Sequence, residues 1–260
     1  MCATCGCSPL TELVDPEQYG GHGHGHGHGA DGHDHGHEHD HGVPVPRTVT
    51  LEEAVLAKND ELAVDNRVWL AERGILALNV MSSPGSGKTT LLERTIRDLG
   101  LDVPVSVIEG DQETPLDADR IKSTGAPVIQ INTGSGCHLD APMVGRALTT
   151  LDPPQGSVVF IENVGNLVCP ALFDLGEAGR VVIMSVTEGA DKPLKYPHMF
   201  RTADLMLVNK VDLLPYVDFD VDACVAAARR ASPDVEVISV SATRGDGLAD
   251  WYTWLREHLG

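Results

Sequence analysis

Residues 82–90 read SSPGSGKTT and have the composition of a phosphate-binding loop. They match the pattern G-x-x-x-x-G-K-[ST], with Ser82 in place of the first glycine. In such a loop the backbone N–H groups and the next helix bind phosphates, the lysine reaches the β- and γ-phosphates, and the hydroxyl binds Mg²⁺. The predicted nucleotide-binding residues are Gly85, Ser86, Gly87, Lys88, Thr89 and Thr90, with Thr89 also assigned to Mg²⁺. The alternative is an ordinary glycine-rich turn between a strand and a helix.

A second motif, NKVD at Asn209–Asp212, predicts which base is bound. The carboxylate of Asp212 can accept two hydrogen bonds, from guanine N1–H and N2–H₂, whereas adenine lacks this pair of donors. Asn209 can bond the purine edge and the phosphate loop, and the stem of Lys210 can cover the base. Ser241 and Ala242 follow the next apolar run and complete the predicted site. The combination predicts that the chain binds GTP.

Two acidic residues are placed to sense the γ-phosphate. Asp111 lies in EGDQET, where it can hold Mg²⁺ directly or through water, and Glu162 lies in FIENVGN. Together with Lys88 they are the predicted catalytic residues, and Gly165 is the predicted switch glycine. The alternative for Glu162 is a carboxylate that only caps its loop. No residue matches the glutamine that orients water in fast GTPases, so we expect slow hydrolysis.

Cysteine and histidine near these segments indicate a metal site. Cys137 and His138 are adjacent in GSGCHLD, and Cys169 lies four residues beyond Gly165. Loops at the carboxyl ends of parallel strands share one edge of a sheet, so the three side chains can converge beside the phosphates. Thiolate and imidazole suit Zn²⁺, or Ni²⁺ in a planar site, completed by water, another residue or a second protomer. Two unrelated thiols with a loop histidine are the alternative, and Cys224 is predicted to lie in a helix core.

The first residues, MCATCGC, carry three more thiols on a chain that a glycine makes flexible. Cys2, Cys5 and Cys7 can surround one ion, and the α-amine of Cys2 becomes a fourth donor if Met1 is removed. Three sulfurs and an amine suit square-planar Ni²⁺. Zn²⁺ on the same thiolates and a redox-active CxxC pair are the alternatives.

Residues 20–42 are dominated by glycine and histidine. Imidazole binds Ni²⁺, Cu²⁺ and Zn²⁺, and glycine allows any two rings to reach one ion. The predicted reservoir holds nine of the chain's twelve histidines: His22, His24, His26, His28, His33, His35, His37, His39 and His41. A purification tag is the alternative, but the irregular spacing and the interspersed Asp and Glu argue against it.

The segments that must position these residues alternate between short apolar runs and longer amphipathic ones. Seven runs predict strands: LALNVM, VPVSVI, PVIQIN, SVVFIE, RVVIMSV, DLMLVN and VEVISV. Near-continuous apolar strands separated by helices predict an α/β fold, with a mostly parallel sheet covered by helices on both faces. Upstream, the spacing of Thr50 and Glu53 predicts the start of a lead-in helix, and Gly74 its end.

Composition divides the chain into three parts: a disordered metal-binding tail at 1–42, a linker and lead-in helix at 43–74, and a nucleotide-binding domain at 75–260. A formal net charge of −19 argues against binding to nucleic acid, because phosphate contacts need clustered Lys and Arg. No apolar run is long enough for a membrane span, and no signal-peptide pattern opens the chain. We therefore expect a cytoplasmic protein.

Several long motifs together resemble the HypB family of hydrogenase-maturation nickel-insertion GTPases. They are CATCGC, the His-rich tract, SSPGSGKTT, EGDQET, TGSGCHLD, FIENVGNLVCP, VTEGADKPLKYPHMF and NKVD. The resemblance covers nearly the whole chain. It implies a P-loop GTPase of the nucleotide-dimerising (SIMIBI-type) branch, in which two protomers bind GTP face to face.

Residue by residue, the resemblance implies that Cys137, His138 and Cys169 are metal ligands at the dimer interface and that Cys2, Cys5 and Cys7 are an N-terminal nickel motif. It implies that Lys195 in DKPLKYP reaches the partner's nucleotide, although Lys192 lies close by. The expected partners are a small nickel/zinc-binding protein of the HypA type and the large-subunit precursor of [NiFe]-hydrogenase. The alternatives are a urease-maturation GTPase, whose Cys-Pro-His motif this chain lacks, a nickel storage protein and a P-loop small-molecule kinase.

Deletion of residues 20–42 should lower the amount of nickel bound per chain and leave the rate of GTP hydrolysis unchanged. The tract lies outside the predicted domain and is separated from it by VPVP. The measurements are the number of nickel ions bound per chain and the rate of phosphate release. The control is a chain of full length in which the nine histidines are replaced by glutamine. A large loss of hydrolysis after the deletion would contradict the separation.

Overall fold

A computed structural model describes residues 47–99, 102–111, 116–134 and 136–259. The predicted tail, with its cysteines and histidines, lies outside these residues. Seven strands form one sheet in the order β3-β2-β4-β1-β5-β6-β7, and all neighbouring pairs are parallel. The strands are β1 (Leu76–Ser82), β2 (Val105–Asp111), β3 (Val128–Asn132), β4 (Val158–Glu162), β5 (Gly179–Ser185), β6 (Leu205–Asn209) and β7 (Glu236–Ser239).

Eight α-helices accompany the sheet in the described part of the chain. They are α1 (Arg47–Ala71), α2 (Lys88–Leu99), α3 (Leu116–Lys122), α4 (Ala141–Leu151), α5 (Lys192–Lys195), α6 (Pro197–Arg201), α7 (Val221–Ala231) and α8 (Leu248–His258). Two short 3₁₀ helices, Cys169–Ala171 and Val211–Tyr216, lie in loops after β4 and β6. No helix among the described residues is long and apolar enough to cross a membrane.

Alternate residues of the strands pack against helices on opposite faces of the sheet. Leu78 and Val80 of β1 join a core with residues of α2, α3 and α8. Ala77 packs on the other face with residues of α1 and α4, and Met81 with residues of α6 and α7. Because both faces are covered, all the residues of β1 and β4 are buried. The predicted parallel α/β fold is confirmed.

The lead-in helix starts earlier than its capping-box spacing predicts. Helix α1 begins at Arg47, so Thr50 lies within its first turn and is not the N-cap. The residues between Arg47 and Thr50 include no glycine or proline, so nothing local prevents an earlier start. The end is closer to expectation, because the N–H of Gly74, at φ +60°, donates to Ala71 O just after the helix.

Cys224 is buried in the core formed by α6, α7 and their strands, as predicted. Its Sγ donates to Met184 Sδ over 3.5 Å. Burial raises the pKa of the Cys224 thiol to about 11, so the group stays neutral and behaves as a small apolar side chain.

Gly176 is the position where the chain before β5 passes closest to α1. It has φ +85°, and a Cβ atom there would lie 2.6 Å from Ala63 O and 2.8 Å from Arg67 N. Asn66 ties the same segment to the helix, because its Nδ2 donates to Leu175 O at 3.0 Å. Close backbone approach and a left-handed conformation both require glycine here.

Gly176→Ala should therefore lower the free energy of unfolding by more than Gly156→Ala. Both glycines have positive φ, but no described atom lies within 4 Å of a Cβ at Gly156. Gly156→Ala should cost only the left-handed strain of about 1–2 kcal/mol. Gly176→Ala adds steric overlap of about 1–3 kcal/mol. Urea unfolding of both variants gives the comparison, and equal losses would contradict the close approach.

Candidate functional site

A cleft of about 570 Å³ lies at the carboxyl ends of β1, β2 and β4. Its walls are the phosphate loop with the start of α2, the end of β2, Gly165 after β4, and Lys210 after β6. Ligands bind at this edge of open parallel sheets. The predicted nucleotide-binding residues that line the cleft are Gly85, Ser86, Gly87, Lys88, Thr89, Thr90 and Lys210.

The phosphate loop joins a buried strand to a helix, as its pattern predicts. Gly85 and Gly87 have φ of +75° and +94°, values that side chains disfavour. A Cβ on Gly87 would also lie 2.6 Å from Asn209 Nδ2. Helix α2 begins at Lys88, so its N-terminal N–H groups face the cleft with the positive end of the helix dipole.

Glu162 lies directly behind the phosphate loop, at the end of β4. Its Oε1 accepts hydrogen bonds from Lys88 Nζ at 2.7 Å and from Thr89 Oγ1 at 2.6 Å. The residue is completely buried, and its second oxygen has no hydrogen-bond partner among the described residues. Glu162 is therefore bonded to two phosphate-loop side chains.

Glu109 is a second buried carboxyl that sequence reasoning did not single out. The register pairs Glu109 of β2 with Glu162 of β4, and Glu109 Oε2 also has no partner within the described residues. Burial, followed by the charges of Glu162 and Asp111, raises the pKa of Glu109 to about 8. A cation placed between these acidic groups would reverse that shift.

The oxygen donors in this corner fit Mg²⁺, which prefers hydroxyl, carboxylate and water ligands. Thr89 and Glu162 are in direct contact, and Asp111 lines the same cleft. The oxygens of Glu109 and Glu162 that lack a hydrogen-bond partner could bind a divalent ion directly or accept hydrogen bonds from its water. These residues would hold Mg²⁺, which would neutralise charge on the β- and γ-phosphates.

The NKVD segment is bonded to the phosphate loop. Asn209 Nδ2 donates to Ser86 O at 2.9 Å, while its Oδ1 accepts from the N–H of Ala242 at 3.2 Å. Lys210 Nζ donates to Gly85 O at 2.6 Å. Ser241 Oγ donates to Asp212 Oδ1, also at 2.6 Å. Asn209 and Lys210 are therefore bonded to the loop that would hold the phosphates, and the predicted base-reading carboxylate of Asp212 is bonded to Ser241.

The structure places Lys192, and not Lys195, against the phosphate loop of its own protomer. Lys192 Nζ donates to Ser83 Oγ at 2.7 Å and to Glu188 Oε2 at 2.6 Å. Lys195 is mostly exposed and pairs with Asp191 at 2.7 Å. Helix α5 contains both lysines, so the spacing in DKPLKYP did not decide which one lies at the loop.

Cys137, His138 and Cys169 are brought together by two loops that are distant in sequence. One donor atom from each lies within 4.8 Å of the other two. Both cysteines are buried, and Cys137 Sγ lies 3.7 Å from His138 Nδ1. Thiols and an imidazole grouped in this way are the donor set of a Zn²⁺ or Ni²⁺ site.

The imidazole of His138 is held in a defined orientation. Its ring stacks on Phe173, with centroids 3.8 Å apart and planes inclined by 18°. Burial lowers the pKa of His138, although the nearby Asp140 opposes this effect. The neutral ring is the form that binds metals.

Sequence reasoning missed several residues of this edge, among them Glu109, Glu188 and Arg120. Arg120 of α3 donates to Thr90 Oγ1 at 2.9 Å and to Glu93 Oε2 at 2.6 Å. The sequence signals for these residues were weak. An acidic residue at a strand end, such as Glu109, or a Glu-Lys pair four residues apart, such as Glu188 and Lys192, usually indicates only a solvated surface.

The parallel sheet, the phosphate loop and the acidic cluster behind it define a P-loop nucleotide-binding protein of the α/β class. The family model described as CobW/HypB/UreG, nucleotide-binding domain, matches residues 76–239. Hydrogenase maturation factor HypB of Azotobacter vinelandii is 60% identical over 214 residues, which cover 82% of this chain and 71% of that protein.

Two solved structures are similar over most of this chain. Hydrogenase maturation factor HypB from Archaeoglobus fulgidus has a TM-score of 0.74 and 43% identity, covering 79% of this chain and 100% of that one. HypB from Helicobacter pylori, crystallised in complex with nickel, has a TM-score of 0.73 and 39% identity, covering 78% and 95%. The chain therefore belongs to the HypB family of hydrogenase maturation factors, within the wider CobW/HypB/UreG group.

Asp212→Asn should weaken GTP binding about tenfold or more and shift preference towards xanthosine nucleotides. An asparagine offers one acceptor and one donor, which suit N1–H and O2 of xanthine, but leaves one guanine donor unpaired at a cost of about 1–3 kcal/mol. Competition binding with GTP, ATP and XTP is the measurement. Asp218→Asn, the same change at an exposed position nearby, is the control. Equal binding of GTP and ATP by the unmodified protein would refute the assignment.

Proposed function

We propose that this protein is a GTP-hydrolysing nickel metallochaperone that delivers Ni²⁺ to the large subunit of a [NiFe]-hydrogenase. One observation carries the proposal: residues 162–169 run from the carboxylate bonded to Lys88 and Thr89 to the buried thiol of Cys169. We propose that movement at the phosphate end of this segment is passed to Cys169, a metal-ligand candidate a few residues away. A storage protein would have no need for that connection.

Hydrolysis of GTP requires charge stabilisation more than covalent chemistry. Lys88 and the N–H groups of the phosphate loop would bind the β- and γ-phosphates. Thr89, Asp111 and Glu162 would hold Mg²⁺ and its water. We propose that turnover is slow.

The nickel cargo would be bound by Cys137, His138 and Cys169, with Zn²⁺ as a competitor for the same donors. Three ligands leave a four-coordinate ion incomplete. We propose that a GTP-dependent homodimer supplies the remaining donors from the second protomer. The relative from Helicobacter pylori whose structure contains nickel supports the choice of metal.

Delivery would involve a small nickel/zinc-binding protein of the HypA type and the hydrogenase large-subunit precursor in the cytoplasm. Membership of the hydrogenase maturation factor family supports this recipient class. In this scheme Cys2, Cys5 and Cys7 form a separate N-terminal nickel site, and the His-rich tract is a reservoir. Lys195 remains the candidate for contact with the partner's nucleotide, because its side chain is mostly exposed.

Cys169→Ala should retain GTP binding and lose the dependence of nickel affinity on nucleotide. The unmodified site should differ roughly five- to 150-fold in nickel affinity between the GDP and GTP states, which corresponds to about 1–3 kcal/mol of coupling. The measurement is a nickel titration of the protein lacking residues 1–42, with GDP and with a non-hydrolysable GTP analogue. Cys137→Ala should behave in the same way. Identical isotherms for the unmodified site in the two states would refute nucleotide-gated metal transfer.

Cys224→Ala is the matched control, because this thiol is buried in the core away from the metal group. In a strain that lacks the gene, the Cys224→Ala protein should restore hydrogenase activity and the Cys169→Ala protein should not. Added nickel should partly replace the missing protein. Loss of urease activity with hydrogenase intact would instead support the urease-maturation alternative.

A further inference from the structure

Asn163, directly after Glu162, is a buried side chain that binds three different segments. Its Oδ1 accepts hydrogen bonds from the N–H of Leu139 at 3.2 Å and of Val164 at 3.0 Å. Its Nδ2 donates to Asn79 Oδ1 at 3.2 Å. The residue is fully buried, so each bond replaces one that water could have made. One amide oxygen thus joins the segment after β4 to the segment before α4.

Leu139 connects that oxygen to the other acidic strand end. It follows His138 and is fully buried. A Cβ placed on Gly110 would lie only 2.8 Å from Leu139 Cγ, so the leucine packs directly on the glycine backbone between Glu109 and Asp111. Leu139 therefore touches the end of β2 with its side chain and the end of β4 with its N–H.

The segment that carries Cys137 and His138 is fixed on its far side. The side chain of Asp140 accepts from the N–H of Met143 at 2.8 Å and caps α4. Because the helix start is anchored, a displacement of the Leu139 N–H passes back towards His138 and Cys137. Val164, on the other side of Asn163, leads to Gly165 and then to Cys169.

A second polar connection supports the ring of His138. Asn79 Nδ2 donates to Glu177 Oε1 at 3.3 Å, and Glu177 Oε1 also accepts from Arg180 Nε at 2.6 Å. The Arg180 guanidinium donates to Phe173 O at 3.4 Å. Phe173 is the residue on which His138 stacks. The bonds that begin at Asn163 therefore end beneath a metal-ligand candidate.

We propose that Asn163, acting through Leu139, is the positioning residue that transmits nucleotide state to the metal ligands. Movement of Val164 and Gly165 with the γ-phosphate changes the Asn163–Leu139 bond. That change displaces Cys137 and His138 relative to Cys169. This inference rests on the proposed function and assigns to Asn163 no contact with phosphate or metal.

The test uses the full chain and measures how saturating nickel changes the affinities for fluorescent GDP and for a fluorescent non-hydrolysable GTP analogue. By linkage, this effect is the reciprocal of the effect of nucleotide on nickel affinity. In the unmodified protein nickel should change the ratio of the two affinities roughly five- to 150-fold. Asn163→Ala should reduce this change to less than twofold. The control is Thr95→Val, which removes the buried acceptor of Trp251 Nε1 on the opposite face of the sheet. This variant should show the full effect of nickel on the affinity ratio.

The outcomes separate the two proposals. No nickel effect in the unmodified protein would overturn the proposed coupling and this inference with it. A full effect in the Asn163→Ala protein would overturn only the role of Asn163. Hydrogen exchange on the unmodified protein needs no variant: the Leu139 amide should exchange at least about tenfold differently with GDP and with the GTP analogue. An unchanged rate would overturn the inference even if Asn163→Ala fails to fold.

Discussion

The carboxylate of Glu162 is completely buried at the end of β4, where an unpaired charge would cost more free energy than a domain of this size can spare. Lys88 and Thr89 supply its compensation, and both belong to the phosphate loop. The loop can do so only if β1 and β4 are neighbours, which the sheet order provides. The burial of Glu162 therefore requires both the phosphate loop and the adjacent positions of β1 and β4 in the sheet.

The same strand end also ties the nucleotide cleft to the metal-ligand group. Parallel strands collect their following loops at one edge, so residues 137–139 and 162–169 meet although they are far apart in sequence. Soft ligands lie in one set of loops and hard oxygen ligands in the adjacent cleft, which suits nickel and magnesium respectively.

Several charged side chains lie close together at the carboxyl edge of the sheet. Glu109 and Glu162 lie side by side with unpartnered oxygens in the described region, and Lys192 is bonded to Glu188 beside the loop. Buried groups that repel one another are stabilised when a cation enters.

Local patterns in the sequence determined the strands and the phosphate loop and predicted the base-reading motif, because each depends on neighbouring residues and on a short period of apolar positions. They also indicated that Cys137, His138 and Cys169 would converge, since parallel topology alone places their loops at one edge. The placement of Lys192 over Lys195, the pairing of Glu109 with Glu162 and the contacts of Asn163 with Leu139 were decided only by tertiary structure. Each of these depends on strand register or on side-chain packing between distant segments, where a shift of one residue changes which groups meet.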